Sequence, residues 1–357
     1  MSTAQEQIQR FVRLGVNAPR NLLQAYRYRP YGWGEHSYQM KLWKSEEFKV
    51  WRPSGALSVE CLLHLHDDPA APLYVNLGGL ITSAMLYSTL GWSVYQRGLN
   101  AMMVSLPGHG FSDLPPMEYR SYRQNARIVY EAVDLARRAY GLTGPMRVLG
   151  HSHGGGMAEA LAGEYGDDIS RYYILAGVGG PEWTRVAGTL KRGLRDLRRG
   201  RILSEDVADS WQRVSGFISD GYVIIPPPWE LAGWQAELIR PFVSSLHGQS
   251  ATNLYSVLID TLLDSAEELE GCLDTMGKLE ADTIILAGRA DGVITHRVIE
   301  SQAVAAAKPG QPSAPVFRSQ TTHAGFLAQA GRNYVADLVA MSDEELARHI
   351  PGHMLAA

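Results

Sequence analysis

The chain has 357 residues, of which 45% are hydrophobic and 20% charged, enough apolar side chain for one large core or two ordinary ones. A formal net charge of −4 and a pI near 6.3 give no global basic field, so neither nucleic acid nor anionic membrane is an expected partner. Cys61 and Cys272 lie too far apart to suggest a disulfide framework, the start Met1–Gln7 lacks a signal-like apolar run, and no stretch is apolar enough to span a bilayer; the expected location is the cytoplasm.

Residues 1–45 read as an N-terminal helical extension, with Ile8, Phe11, Val12, Leu14 and Leu22 on one stripe that would pack on the core or on a second copy in a homodimer. Glu47–Trp51 and Ser58–His66 then form a leading antiparallel pair, because Val59, Cys61, Leu63 and Leu65 alternate with Glu60, Leu62, His64 and His66. His64 and His66 share a face, but no third metal ligand accompanies them, so both are given a structural role.

From about residue 72 short apolar runs alternate with longer amphipathic ones, the pattern of parallel strands joined by crossover helices. The runs are Leu73–Leu77, Ala101–Ser105, Met146–Leu149, Tyr172–Leu175, Thr283–Leu286 and Val316–Ser319. With the leading pair they predict an α/β fold around an eight-stranded, mostly parallel, doubly wound sheet, whose ligands bind at the carboxyl ends of the strands. About a hundred residues separate the run ending near Gly177 from the one starting near Thr283, far more than a crossover needs. The expected organisation is a core of 46–180 and 276–357 with a helical cap or lid at 181–275. The cap carries Trp183, Trp211, Tyr222, Trp229 and Trp234, which either line an apolar substrate pocket with Ile81 and His151 or form the lid's own core. Its basic run Lys191–Arg201 places Leu190, Leu194 and Leu197 on one stripe, as in a solvated helix; an anion patch for a phosphopantetheine carrier or coenzyme A is the alternative.

Strand Met146–Leu149 runs into Gly150-His151-Ser152-His153-Gly154-Gly155-Gly156 and then into helix formers. A serine at such a turn is forced into a strained conformation, and small residues two before and two after it let neighbouring chain pass close by. Helix-start amides then face any negative charge that forms beside Ser152. After strand Thr283–Leu286, Asp291 emerges at the same sheet edge as Ser152, whereas Asp282 lies at the opposite edge; after Val316–Ser319, His323 stands at a strand end.

In these motifs the chain resembles the α/β-hydrolase family, over roughly 47–180 and 280–340. The order nucleophile, acid, histidine implies a triad of Ser152, Asp291 and His323, with His323 taking the serine proton and Asp291 fixing its tautomer. The resemblance places the oxyanion loop at Leu77-Gly78-Gly79-Leu80-Ile81, where the usual His-Gly pair is Gly-Gly; it implies donors at the amides of His153 and of Leu80, with Gly79 the alternative to Leu80. A Gly-x-Gly turn, Gly108-His109-Gly110, is opened by Ser105 where the family often has aspartate, and His109 is read as structural. His151, His153 and His296 are the competitors of His323 and could instead contact substrate.

Serine at the elbow excludes the alkyl-enzyme chemistry of those relatives that use aspartate there, and leaves acyl transfer. The expected activity is hydrolysis of a bulky, hydrophobic carboxylic ester or lactone, with no metal or organic cofactor required. An acyltransferase or a hydrolase of C–C or amide bonds on the same triad, and a non-catalytic ligand receptor, are the alternatives.

Overall fold

A computed structural model of the chain describes residues 44–201, 204–210, 251–289, 291, 293–319, 323, 325–327 and 329–349. The expected N-terminal stripe, Trp211, Tyr222, Trp229 and Trp234 lie outside the described residues.

Eight strands form one sheet: β1 (Lys44–Arg52), β2 (Gly55–His64), β3 (Leu73–Leu77), β4 (Asn100–Val104), β5 (Met146–His151), β6 (Ile169–Leu175), β7 (Asp282–Gly288) and β8 (Val316–Ser319), in the order β1-β2-β4-β3-β5-β6-β7-β8. β1 and β2 pair antiparallel, β2 meets β4 antiparallel, and β3 to β8 are parallel. The eight-stranded α/β sheet read from the sequence is the one observed. All five residues of β3 and of β4 are buried, which is why these strands read as continuous apolar runs.

The alternation along β2 marks no solvent face, since Leu57 through His64 are all buried. His64 meets the rings of Trp92 and Tyr95 edge-on, at 4.9 and 3.6 Å between centroids, and both aromatics belong to helix α1 (Ser88–Tyr95). The helix covers the face that the pattern left polar.

β3 passes through α1 to β4 on one side, and the chain returns over α2 (Tyr122–Tyr140) to β5 on the other side of β3. The order therefore reverses between β3 and β5, and a crevice opens at their carboxyl ends. Helix α3 (His153–Tyr165) starts directly from β5, and only glycine lets it start there: a Cβ on Gly154 would stand 2.1 Å from the Leu77 carbonyl oxygen at the end of β3, and one on Gly155 would stand 2.5 Å from Gly177 Cα.

Between β6 and β7 the described segments include α4 (Gly180–Arg198), a helical stretch at 205–210, α5 (Ala251–Ser256), a π-type turn at Val257–Leu263, a short 3-10 turn at Ala266–Leu269 and α6 (Glu270–Lys278). Helices α7 (His296–Ala305), α8 (Gln329–Ala340) and α9 (Asp343–His349) complete the core. Among the described residues no helix is long and apolar enough to cross a membrane.

Candidate active site

The turn after β5 has the geometry its residues predict. Ser152 has φ 54 and ψ −117, a left-handed conformation that disfavours any side chain and stores about 1–3 kcal/mol of strain. Neighbouring backbone holds it there: its amide donates to the Leu175 carbonyl at 3.1 Å, and its carbonyl accepts from the amides of Gly155 and Val178, both at 2.9 Å. Ser152 is half-buried and sits at the N-terminus of the 13-residue helix α3, so the positive end of that helix faces it.

The loop after β3 lies against the serine, and a Cβ on Gly79 would be 3.2 Å from Ser152 Cβ. The Gly79 amide is spent on Tyr87 Oη at 2.8 Å, and Ile81 has φ 66. The amides of Leu80 and His153 have no hydrogen-bond partner among the described residues. His153 follows Ser152 at the first turn of α3, and Leu80 follows Gly79, the loop residue that lies against the serine.

Asp291 and His323 come together as their positions at the ends of β7 and β8 require. His323 Nδ1 lies 2.9 Å from Asp291 Oδ2, while Asp291 Oδ1 accepts from the amides of Val293 at 2.8 Å and Ile294 at 2.9 Å. One carboxylate oxygen is thus fixed by backbone and the other is turned to the imidazole. Asp282 stands at the start of β7, 3.9 Å from Lys308 Nζ, at the far edge of the sheet.

The other histidines separate by surroundings. His296 is exposed and pairs with Glu300 at 3.1 Å. His66 stacks on Tyr95 at 3.9 Å, and among the described residues no group of three His, Cys, Asp or Glu is placed to hold a metal. His109 is fully buried, with Nδ1 3.2 Å from the Pro107 carbonyl; its ring stacks at 5.7 Å on His153, whose Nδ1 is 3.0 Å from Tyr122 Oη. Burial pushes His109 down to about 4 and His153 to about 3, so both rings are neutral at neutral pH.

His151 differs from its reading as a substrate contact. Nδ1 lies 2.8 Å from Tyr87 Oη and Nε2 3.0 Å from the His323 carbonyl, so both ring nitrogens are occupied by protein. Trp183 is 7% exposed and belongs to the main apolar core. Nothing in the sequence distinguishes Tyr87 and Thr82, because a tyrosine and a threonine just before a mostly buried helix look like ordinary packing residues.

Where the family resemblance implies aspartate and the chain has Ser105, a carboxylate arrives from another strand: Glu60 of β2 accepts from Ser105 Oγ at 2.5 Å and from the Phe111 amide at 3.2 Å.

Comparison with known proteins gives the same outline. The family model described as "Serine aminopeptidase, S33" matches residues 69–212, a span that holds the elbow but neither Asp291 nor His323. No curated protein sequence matches the chain. Among solved structures, a thermostable carboxyl esterase from Bacillus coagulans superposes with a TM-score of 0.58 at 15% identity, over 83% of this chain and 96% of its own. An esterase from a Rhodococcus species gives 0.56 at 16% identity over 84% and 98%, and an enol-lactonase from Burkholderia xenovorans gives 0.54 at 16% over 81% and 98%. At such identities the likeness is one of fold.

Proposed function

We propose that this chain, which has the fold of the α/β-hydrolases, is a serine hydrolase that cleaves a carboxylic ester or lactone through an acyl-enzyme on Ser152. The observation that carries the reading is the strained Ser152 at the head of α3, with the Asp291–His323 pair held at 2.9 Å on the neighbouring strand ends. His323 takes the proton from Ser152 Oγ as the oxygen attacks the carbonyl, and Asp291 keeps the imidazole in the tautomer with its proton on Nδ1. The oxyanion is held by the amides of Leu80 and His153, since the Gly79 amide is already engaged. His323 then delivers the proton to the leaving alcohol, and water releases the acyl group by the same steps in reverse.

The esterases and the enol-lactonase among the structural relatives support the choice of ester and lactone. Residues 181–275 are the lid of this reading, with the apolar part of the substrate beneath them. The test is labelling with a fluorophosphonate: wild type takes one label, Ser152→Ala takes none, and labelling that persists in the variant overturns the nucleophile assignment. A panel of esters and lactones then ranks substrates.

One observation favours a second reading, acyl transfer involving a phosphate-bearing carrier. A groove of about 410 Å³ runs between α4 and the turn at Val257–Leu263, lined by Lys191, Arg192, Arg195 and Arg198. Asp264 neutralises Lys191 at 3.1 Å, Asp206 neutralises Arg192 at 3.1 Å, and Arg198 donates to Tyr255 Oη, which leaves Arg195 to meet an anion in a groove that Glu267 also lines. Product ratios with water alone against added thioester or alcohol acceptors separate transfer from hydrolysis.

A further inference from the structure

Three hydrogen bonds outside the Ser152–His323–Asp291 set run unbroken from the loop after β3 to the backbone of His323. The Gly79 amide donates to Tyr87 Oη at 2.8 Å, Tyr87 Oη is 2.8 Å from His151 Nδ1, and His151 Nε2 is 3.0 Å from the His323 carbonyl oxygen. The proton positions follow from what each atom can do. A carbonyl only accepts, so the neutral His151 carries its proton on Nε2; Nδ1 is then an acceptor, and Tyr87 donates to it while accepting from Gly79.

A further bond acts on the same stretch of loop. Thr82 Oγ1 donates to the Gly79 carbonyl at 2.6 Å. That carbonyl and the Leu80 N–H are the two ends of one planar trans peptide, so a hydroxyl that fixes the direction of one fixes the direction of the other. The fit is close: a Cβ on Gly78 would stand 2.7 Å from both Thr82 Oγ1 and Tyr87 Cε2.

Resting on the serine-hydrolase reading, we propose that Tyr87 and Thr82 are positioning residues for acyl transfer, holding the Gly79–Leu80 peptide so that the Leu80 amide meets the oxyanion. His151 carries the same constraint onward to the loop that bears His323, so the donor loop and the base are set against each other by one path. None of the path changes charge in the working range of a hydrolase. Burial pushes His151 down to about 3 and Tyr87 up to about 12. Besides the histidines of the path, the ionisable neighbour acting on His151 is Asp291, bound to His323.

The experiment needs no knowledge of the substrate. The rate of phosphonylation of the full chain by a fluorophosphonate is measured to saturation, which separates binding (Ki) from the bond-forming step (kinact), for wild type, Tyr87→Phe, Thr82→Val and Thr82→Ser. Removing an oxyanion donor outright costs about 10²- to 10³-fold, so misaiming one is expected to cost about 10- to 100-fold. The expected result is a fall of that size in kinact for Tyr87→Phe and Thr82→Val, Ki within about threefold of wild type, and recovery in Thr82→Ser, which keeps the hydroxyl. Affinity for phenylboronic acid, whose tetrahedral adduct with serine puts an oxygen in the same place, is expected to fall in parallel. If Tyr87→Phe fails to fold, Thr82→Val and Thr82→Ser decide alone. A folded Thr82→Val with kinact within about twofold of wild type, or a loss confined to Ki, overturns the proposal. Failure of the underlying reading shows separately, as a wild type that takes no Ser152-dependent label.

Discussion

Acidification from pH 7 to pH 5 is expected to destabilise the fold by about 5 to 8 kcal/mol, and the reasons are four histidines and one carboxyl in the interior. His64, His109, His151 and His153 are 6%, 0%, 4% and 1% exposed, and burial lowers them from 6.5 to about 4, 4, 3 and 3. The unfolded chain protonates each of them near pH 6.5 while the folded chain does not. Their stabilising contribution is thus complete above pH 6.5 and is lost as pH falls toward the folded values, about 2 kcal/mol each by pH 5 and about 8 together. Glu159 works in the opposite sense. Burial raises it well above its ordinary value, so the folded state holds a proton that the unfolded state has given up, and acidification favours folding by at most about 3 kcal/mol over two pH units. The net loss is a large part of the roughly 5–15 kcal/mol that holds a domain folded. Urea unfolding at pH 7, 6 and 5 measures it, as a falling midpoint at constant m-value. Glu159→Gln removes the offset and is expected to bring the fall to about 8 kcal/mol. An unfolding free energy constant within about 1 kcal/mol across this range, at constant m-value, refutes the placement of neutral histidines in the interior.

Three further outcomes are expected. Asp291→Asn keeps an acceptor for the Val293 and Ile294 amides but turns a donor toward His323 Nδ1, forcing the wrong tautomer; kcat on an ester substrate is expected to fall about 10³- to 10⁴-fold with the circular dichroism spectrum unchanged. Gly154→Ala drives a methyl to 2.1 Å from the Leu77 carbonyl and is expected to lower stability by about 3 kcal/mol or more, whereas Gly271→Ala, on α6 with nothing within 4 Å, gains up to about 1 kcal/mol; thermal melts of both check the contrast. Ser105→Asp places a second carboxyl against Glu60 and is expected to cost about 2 kcal/mol or more, most of which returns when Glu60→Gln is added; a double-mutant cycle in urea reads the coupling.

What the sequence made legible in the fold follows from where charge is tolerated. β3 and β8 keep their expected bounds, and β7 extends the reading by a residue or two at each end. β6 begins three residues before the expected Tyr172, at Ile169, because the intervening Arg171 ends any apolar run. Arg171 is nevertheless 2% exposed: its guanidinium meets Tyr173 Oη at 3.0 Å, the Met341 carbonyl at 2.9 Å and the Asp343 carboxylate. A buried cation is admissible when its partners are built in, and here two of the three arrive about 170 residues further along the chain. Hydropathy along the strand has no means of registering them.

The same division runs through the candidate site. Ser152, Asp291 and His323 are visible in the sequence because the chemistry they are read for demands a particular atom at a particular strand end, and few residue types supply it. His151, Tyr87 and Thr82 do something else: they decide the direction in which a neighbour's amide or carbonyl points. A tyrosine that accepts from Gly79 and donates to His151 has the same letter, at the start of a helix, as Tyr122, which spends its hydroxyl on His153 instead. Orientation belongs to the pair of atoms that meet, and the members of each pair come from different elements, so it exists only after β3 and β5 are side by side. That is also why a Gly-Gly stands acceptably where the family resemblance implies His-Gly in the loop after β3: the aim of the Leu80 amide depends on the bonds that Thr82 and Tyr87 make to the backbone of Gly79, which has no side chain to contribute.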